Sequence, residues 1–158
     1  VIDLAKGILV TALGLLDYPT HRALIERNLK ARTYRDGVAA AAVAAIAASR
    51  DPESSRRLLA LSKPPHRFGA RVAAIRAPGD YAPAAPEAVP ALCELLADSD
   101  ERVALIACTS LGRTADERAL PALEKAAKSH GNPRVRVYAA ESAARIKGNS
   151  KTKSKLIK

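Results

Sequence analysis

The chain has 158 residues, a length that suits one domain with a continuous core. Apolar residues make up 48% of the sequence but aromatic residues only 3%, which favours close helix-on-helix packing over a sheet sandwich or an aromatic ligand box. The net charge of +10 indicates acidic partners in general.

The sequence shows no sign of a membrane span or a secretory signal. No apolar run reaches the roughly 18 residues that a transmembrane helix needs, and the first residues lack the basic region and cleavage site of a signal peptide. We therefore expect no membrane span and favour a cytoplasmic location. The chain starts at Val1 and contains no Met, so we expect it to be part of a longer protein.

The N-terminal residues are typical of a pair of helices. Residues 1–16 place apolar side chains at helical spacing, and Asp17, Tyr18 and Pro19 interrupt this pattern. A second helix is predicted from Pro19 or Thr20 to about residue 31. The predicted inward side chains of the pair are Leu4, Ile8, Leu9, Ala12, Leu13, Leu16, Leu24, Ile25 and Leu29.

A second helical pair follows. Val38, Ala42 and Ile46 form one apolar stripe, and the Ala-rich run around them makes the opposite face apolar as well. We therefore expect this helix to have neighbours on both sides. Asp51 and Pro52 then begin a short helix, since an acidic cap and a Pro in the first turn favour a helix start.

The third pair contains a long internal loop. The dipeptide Pro64-Pro65 ends the preceding helix, and Phe68, Val72 and Ile75 form the next stripe. The segment from Pro78 to Pro86 is too rich in Pro and Gly to be helical, so we predict a loop there. The partner helix is predicted from Pro86 to Ala97.

The clearest repeat lies near the C-terminus. Helix starts are predicted at Asp98-Ser99-Asp100-Glu101-Arg102-Val103, at Asp116-Glu117-Arg118 and at Asn132-Pro133-Arg134-Val135. Aligning Leu13-Gly14 with Leu111-Gly112 extends the repeat to the first pair. Equivalent apolar positions, namely Val38, Phe68, Val103 and Val135, are separated by 30, 35 and 32 residues.

A helical pair that recurs about every thirty residues is typical of a solenoid, because one pair cannot bury its apolar face alone. We predict an all-α fold, a right-handed α-α superhelix of about four helical pairs and a final helix, over residues 1–147. Residues 148–158 are rich in Lys and are predicted to be a disordered, basic tail.

The helix pattern resembles a HEAT repeat. The residues that carry the resemblance are Asp-x-Asp-x-Arg-Val at 98–103, Ala107, Leu111-Gly112 and Ala119-Leu120-Pro121-Ala122-Leu123. The resemblance is closest to the short bacterial kind first named from phycocyanobilin lyases. It implies a scaffold that binds protein or peptide partners. HEAT units usually carry Arg directly after the Val, and here Arg136 does so while Ala104 does not, so a regular Arg ladder is not expected.

A narrower resemblance concerns the order of motifs. Thr33 to Val38, Pro65-His66-Arg67, the internal loop, and Val89-Pro90-Ala91-Leu92 together resemble the C-terminal HEAT region of bacterial zinc aminopeptidases of the aminopeptidase N family. In that family the zinc motif His-Glu-x-x-His lies in an upstream domain, and the motif is absent here. The resemblance therefore implies zinc in an upstream domain, and no cofactor, zinc ligand or general base in this segment.

The sequence offers no catalytic or metal-binding constellation. His21, His66 and His130 are far apart in the sequence and are interpreted as surface residues, since a metal site needs several converging ligands. Cys93 and Cys108 are interpreted as free thiols near the apolar stripes rather than a disulfide. Acidic residues at helix starts are explained by capping, and the glycines by helix ends. Catalytic, cofactor-binding and metal residues are therefore predicted to be none.

The remaining candidate is a surface formed by the second helices of successive pairs, which line the concave side of HEAT arrays. Its mixed charge is also typical of an ordinary solvated face. If functional, it would be a groove for an acidic peptide or a partner domain. The candidate partner-binding residues are Arg22, Arg27, Lys30, Arg56, Arg57, Arg118, Lys125 and Lys128.

The leading functional hypothesis is a non-catalytic HEAT scaffold that packs on, or limits access to, the catalytic domain of an aminopeptidase-N-like parent chain. One alternative is an independent adaptor. Another is a basic-groove nucleic-acid-binding protein, which the lack of Trp disfavours. A chaperone for a bilin rests on the repeat name alone.

Overall fold

The structure is a computed structural model that describes residues 2–33, 36–49, 52–80 and 87–156. Every regular element among these residues is helical, as predicted. The helices are α1 (Ile2–Asn28), α2 (Gly37–Ala48), α3 (Pro52–Leu61), α4 (Phe68–Asp80), α5 (Ala88–Glu94), α6 (Glu101–Thr114), α7 (Leu120–Ser129) and α8 (Pro133–Leu156), with short 3-10 turns at Leu95–Ala97 and Glu117–Ala119.

The chain forms two compact units, residues 1–82 and residues 83–158, which we call the N-terminal unit and the C-terminal unit. The boundary falls between α4 and α5. It lies at the segment where the sequence predicts a loop. The single solenoid domain over residues 1–147 stays a prediction.

Helix α1 contains the predicted break. Asp17 has extended backbone, with φ of −159° and ψ of 84°, inside an otherwise helical segment. Its carboxylate accepts the backbone N–H of Thr20 at 3.3 Å, and the hydrogen bonds with Thr20 lower the pKa of Asp17. With Pro19 two residues after this cap, the second half of α1 has its own capped start. The first helical pair is confirmed as the two halves of α1.

Helix α2 is the centre of the N-terminal unit. It packs against α1, α3 and α4, which confirms the expectation that its neighbours cover both faces. The Ala-rich sequence permits this arrangement because small side chains let other helices approach closely. Its buried residues are Val38, Ala39, Ala42, Val43, Ala45, Ile46 and Ala47.

The inward stripe predicted for the first half of α1 is wrong for most of its residues, although Leu13 packs against the core. Leu4, Ile8, Leu9 and Leu16 are 59% to 81% exposed, and Val10 and Gly14 are buried instead. Apart from Asp3 and Lys6 this segment is apolar all round, so its hydrophobic pattern does not select one face. In the second half Ile25 is buried as predicted, whereas Leu24 is 38% exposed.

Glycine determines which face of α1 meets α2. A Cβ atom added at Gly14 would lie 2.4 Å from the Cβ of Ala45, so the two helices touch through their backbones. In α6, a Cβ added at Gly112 would lie 2.9 Å from the Cβ of Ser142 in α8. Both glycines lie inside helices, so the interpretation of glycines as helix ends is wrong for them. The equivalence of Leu13-Gly14 and Leu111-Gly112 is confirmed, because each Gly contacts the first helix of the next pair.

The predicted loop after α4 begins later than expected. Helix α4 continues through Pro78 to Asp80. A Pro in the last turn of a helix removes its own hydrogen bond and crowds the turn before it, so its cost falls on the end of α4. The rest of the predicted loop, residues 81–86, and the predicted cap Asp51 lie outside the described residues.

The C-terminal unit confirms the predicted stripes. Helix α6 packs against α5 and α8, and α7 packs against α8. Among its buried apolar residues are Val89, Leu92, Val103, Ala107, Leu111, Leu123, Val135, Ala139, Ala143 and Ile146. Helix α8 continues to Leu156, through most of the stretch predicted to be a disordered tail over residues 148–158. Extending an existing helix avoids the cost of nucleation, and the stretch contains no Pro to end it.

Candidate interaction surface

Two helical segments of the C-terminal unit start with an acidic cap and an Arg two residues later. Asp100 accepts the backbone N–H of Arg102 at 3.0 Å, and Asp116 accepts that of Arg118 at 2.9 Å. Each guanidinium also folds back onto the same carboxylate, at 2.8 Å in the first case and 2.6 Å in the second. The hydrogen bond from Arg118 holds the pKa of Asp116 below its usual value. These carboxylates are helix caps, as predicted.

The turn before α8 is a polar junction between helices. Asn132 caps α8 by accepting the backbone N–H of Arg134 at 2.7 Å, and its amide donates to the carboxylate of Glu101. His130 Nε2 lies 3.1 Å from the carbonyl oxygen of Leu96, and its Nδ1 accepts the backbone N–H of Asn132 at 3.1 Å. The neutral Nε2–H tautomer satisfies both contacts. His130 is therefore a half-buried structural residue, and its interpretation as a surface histidine is wrong.

Asp36 forms the corresponding junction in the N-terminal unit. It is buried, has a left-handed backbone with φ of 54°, and precedes α2. Its carboxylate accepts Arg67 Nε at 2.5 Å and the backbone N–H of Gly69 at 3.3 Å, so it caps the start of α4. Asp36 and Arg67 are 31 residues apart, as are Glu101 and Asn132. Sequence analysis did not assign these roles. The signal that could have revealed them is that the two partners of each pair are about one repeat length apart in the sequence.

Two of the predicted basic residues meet in the N-terminal unit. Arg22 Nε lies 3.2 Å from Glu26 within the second half of α1, and Arg57 of α3 lies 3.4 Å from the same carboxylate. We call these three residues the Arg-Glu-Arg cluster. The two Arg side chains are 56% and 43% exposed. The cluster connects the second helices of two successive pairs.

The other three candidate residues of this unit are exposed but are not part of the cluster. Arg27 lies five residues after Arg22, about 140° further around the helix, so it lies on a different side of α1. Lys30 lies in the turn after α1, and Arg56 is exposed on α3 beside the cluster. The structure thus shows three of the five candidates of this unit outside the Arg-Glu-Arg cluster.

The candidate basic residues of the C-terminal unit lie beside acidic side chains. Arg118 is held by its own helix cap, and Lys125 and Lys128 are exposed on α7. Glu124, directly before Lys125 on the same helix, forms an ion pair with Lys147 at 2.6 Å, and the hydrogen bond from Lys147 lowers the pKa of Glu124. A continuous basic face over all eight candidates stays a prediction.

Neither cysteine is placed for nucleophilic chemistry. Both are free, as predicted, and Cys108 is buried in α6 while Cys93 is half-buried in α5. Burial raises the pKa of the Cys108 thiol to about 12 and raises that of Cys93, where the charge of Asp116 adds to the effect. Among the described residues no group of three His, Cys, Asp or Glu side chains converges to hold a metal ion.

Comparison with protein families finds a match for the C-terminal part of the chain. Residues 89–158, from α5 to the end of the chain, match the family described as HEAT repeats. Comparison with curated proteins finds no match. Together with the helical architecture, the family match supports a HEAT-like repeat protein and a non-catalytic repeat or interaction domain. Within the described part of the chain, the helices are too short or too polar to cross a membrane.

Proposed function

We propose that this HEAT-like chain is an interaction domain that binds an acidic segment of a partner protein through the Arg-Glu-Arg cluster. The observation that carries the proposal is the convergence of Arg22 and Arg57, from two successive helical pairs, on the single carboxylate of Glu26. HEAT repeats commonly mediate protein interactions, and this cluster is where the predicted basic residues are brought together.

The cluster has the chemistry to recognise carboxylates. A guanidinium offers five N–H donors in a planar fork that matches a carboxylate in bidentate geometry, whereas an ammonium acts as a point charge. Glu26 holds the two forks at a fixed separation, so a bound acidic chain loses less affinity to side-chain ordering. The net charge of +10 increases the association rate for any acidic partner.

Fluorescence anisotropy with a labelled deca-glutamate peptide tests the proposal. The double variant Arg22→Lys/Arg57→Lys keeps the charge but removes both forks, and we expect it to weaken binding by roughly fivefold or more. The matched control Lys125→Arg/Lys128→Arg also keeps the charge and should leave the affinity unchanged. Equal affinities for wild type and the Arg22→Lys/Arg57→Lys variant would mean that net charge alone attracts the peptide, and would contradict the proposal.

Nucleic-acid binding is the competing outcome of the same experiment. A single-stranded oligonucleotide of equal charge is titrated in parallel over a range of salt concentrations. Because aromatic residues make up only 3% of the chain, we expect little base stacking and no preference for the oligonucleotide. Tighter binding to the oligonucleotide, with a steep salt dependence, would favour the nucleic-acid alternative.

A finer proposal concerns the parent protein. The resemblance to the C-terminal HEAT region of aminopeptidase-N-like zinc peptidases supports a role in packing on, or limiting access to, an upstream catalytic domain. In that case the zinc would be bound outside this chain. Reading the gene upstream of the Val1 codon tests it: a His-Glu-x-x-His motif with a further downstream Glu is expected, and its absence would remove the parentage but leave the peptide-binding proposal intact.

A further inference from the structure

The turns after α1 and α3 lie side by side in the N-terminal unit. Asp36, just after the first turn, accepts Arg67 Nε of the second turn at 2.5 Å. Thr33 of the first turn accepts a backbone N–H at the start of α2 at 3.2 Å. Both turns are therefore fixed against the helices that follow them. We call residues 29–33 and 62–67 the end turns.

The end turns are basic. Their sequence contains no Asp or Glu, and their Lys and Arg residues are all exposed, namely Lys30, Arg32, Lys63 and Arg67. Asp36 is buried and offsets one of these charges through its ion pair with Arg67. The Arg-Glu-Arg cluster, in contrast, sets two guanidinium groups against one carboxylate. The end turns therefore carry the larger excess of positive charge.

The second half of α1 connects the Arg-Glu-Arg cluster to the first end turn. Arg22, Glu26 and Lys30 are spaced four residues apart, so they follow one row along the helix toward its C-terminal end. Beyond α1 the backbone N–H groups of Leu29 and Lys30 bond to carbonyl oxygens three residues earlier, so the chain continues in a helical turn. Lys30 therefore lies next in line after the cluster.

The opposite end of the same helical segment is acidic. Asp17 is exposed at the start of the second half of α1, and its hydrogen bonds with Thr20 lower the pKa of Asp17, so the carboxylate is charged at neutral pH. Along the chain, α3 shows the same order of charge, from Glu53 near its start to Lys63 beyond its end. An acidic chain is therefore repelled at the starts of both second helices and attracted at their ends.

We propose that the acidic segment of the partner runs from the Arg-Glu-Arg cluster to the end turns, where Lys30 and Arg32 bind its next carboxylates. This inference rests on the proposed function and adds two binding residues and a direction to it. Arg22 and Lys30 are about 12 Å apart along the helix, which an extended peptide covers in about four residues. The partner segment therefore needs an acidic run of about six residues, since its carboxylates must reach both places.

Fluorescence anisotropy with labelled tri-, hexa- and deca-glutamate tests the extension on the complete 158-residue chain. We expect the wild-type affinity to rise roughly fivefold from three to six residues, because two more exposed ion pairs form, and to change little from six to ten. Lys30→Gln/Arg32→Gln should remove this rise while changing the affinity for tri-glutamate by less than about twofold.

Lys125→Gln/Lys128→Gln is the matched control, because it removes the same charge from exposed residues of α7 and should keep the rise. Far-UV circular dichroism verifies that each variant is folded. Equal hexa-glutamate affinities for Lys30→Gln/Arg32→Gln and this control would overturn the inference. So would a wild-type affinity that does not rise from three to six residues.

Failure of this inference is distinguishable from failure of the proposed function. If only the end-turn variant binds like its control, the Arg-Glu-Arg cluster still binds the peptide and the extension alone is wrong. If Arg22→Lys/Arg57→Lys also binds deca-glutamate as tightly as the wild type, the cluster itself is not the binding site and both proposals are wrong.

Discussion

The contact between α1 and α2 predicts opposite effects for the same substitution at two glycines of one helix. A Cβ added at Gly14 would lie 2.4 Å from Ala45 Cβ, 2.7 Å from its Cα and 2.8 Å from its carbonyl oxygen. Normal contacts between carbon atoms are about 3.5–4.0 Å. Because Ala45 is fully buried, Gly14→Ala must push α1 away from α2.

The size of the effect follows from two opposing contributions. Overpacking costs about 1–3 kcal/mol or more, and replacing Gly by Ala inside a helix returns up to about 1 kcal/mol. Because two of the three nearest atoms belong to the backbone of Ala45, the cost lies at the upper end of this range, and we expect Gly14→Ala to lower the free energy of unfolding by roughly 2 kcal/mol. At Gly7, the added Cβ would lie 3.6 Å from Ala41 Cβ, an ordinary contact. Gly7→Ala should therefore stabilise the protein by about 0.5–1 kcal/mol.

Urea unfolding followed by circular dichroism provides the comparison. The two variants share the same chemical change and the same helix, so effects on the unfolded chain largely cancel between them. Because the chain forms two units, the N-terminal transition is analysed separately if two transitions are resolved. A Gly14→Ala protein as stable as Gly7→Ala would refute the close contact between α1 and α2.

Three further predictions concern the C-terminal unit. Gly112→Ala should destabilise it, by less than Gly14→Ala destabilises the N-terminal unit, because the new methyl group would lie 2.9 Å from Ser142 Cβ and 3.1 Å from its Cα, less close than the 2.4 Å and 2.7 Å at Gly14; an unfolding midpoint at or above the wild-type value would contradict this. His130→Ala removes the contact to the carbonyl oxygen of Leu96 and the acceptor for the backbone N–H of Asn132, so the free energy of unfolding in urea should fall by about 1–3 kcal/mol. An unchanged free energy of unfolding would show that water replaces both partners. Burial raises the pKa of Cys108 from 9.0 to about 12, so its contribution to stability is complete below pH 9.0 and is lost as the pH rises toward 12. Between pH 9 and about 10.5 the wild type should therefore lose about 2 kcal/mol relative to Cys108→Ala, and parallel pH profiles would contradict the burial of this thiol.

The helices themselves were largely predictable because local signals agreed. In the C-terminal unit, caps such as Asp100 and Asp116 precede stripes such as Val103 and Leu111, so the start and the buried face are specified together. The break in α1 was predictable for the same reason, since Asp17 provides a cap at the interruption.

Features that depend on tertiary contacts were not predictable. The first half of α1 is apolar on almost all sides, so its sequence did not specify a buried face, and the contact of Gly14 with Ala45 did so. The roles of Asp36 and His130 depend on partners 31 to 34 residues away. Such partners become neighbours only when successive helical pairs stack.

The candidate site was predictable as a set of residues but not as a geometry. The sequence analysis took basic residues from the second helix of each pair, and Arg22 and Arg57 are indeed exposed. It did not show that Glu26 brings them together, because the carboxylate accepts one partner from its own helix and the other from α3. It also did not distinguish Arg118, which its own helix cap holds.

The most direct test of the proposed function is an NMR titration of the isotope-labelled chain with deca-glutamate. The largest amide shifts are expected in the second half of α1 and in α3, around Arg22, Glu26 and Arg57, with little change in α7. Shifts centred on Lys125 and Lys128, or spread evenly over all basic residues, would contradict binding through the Arg-Glu-Arg cluster.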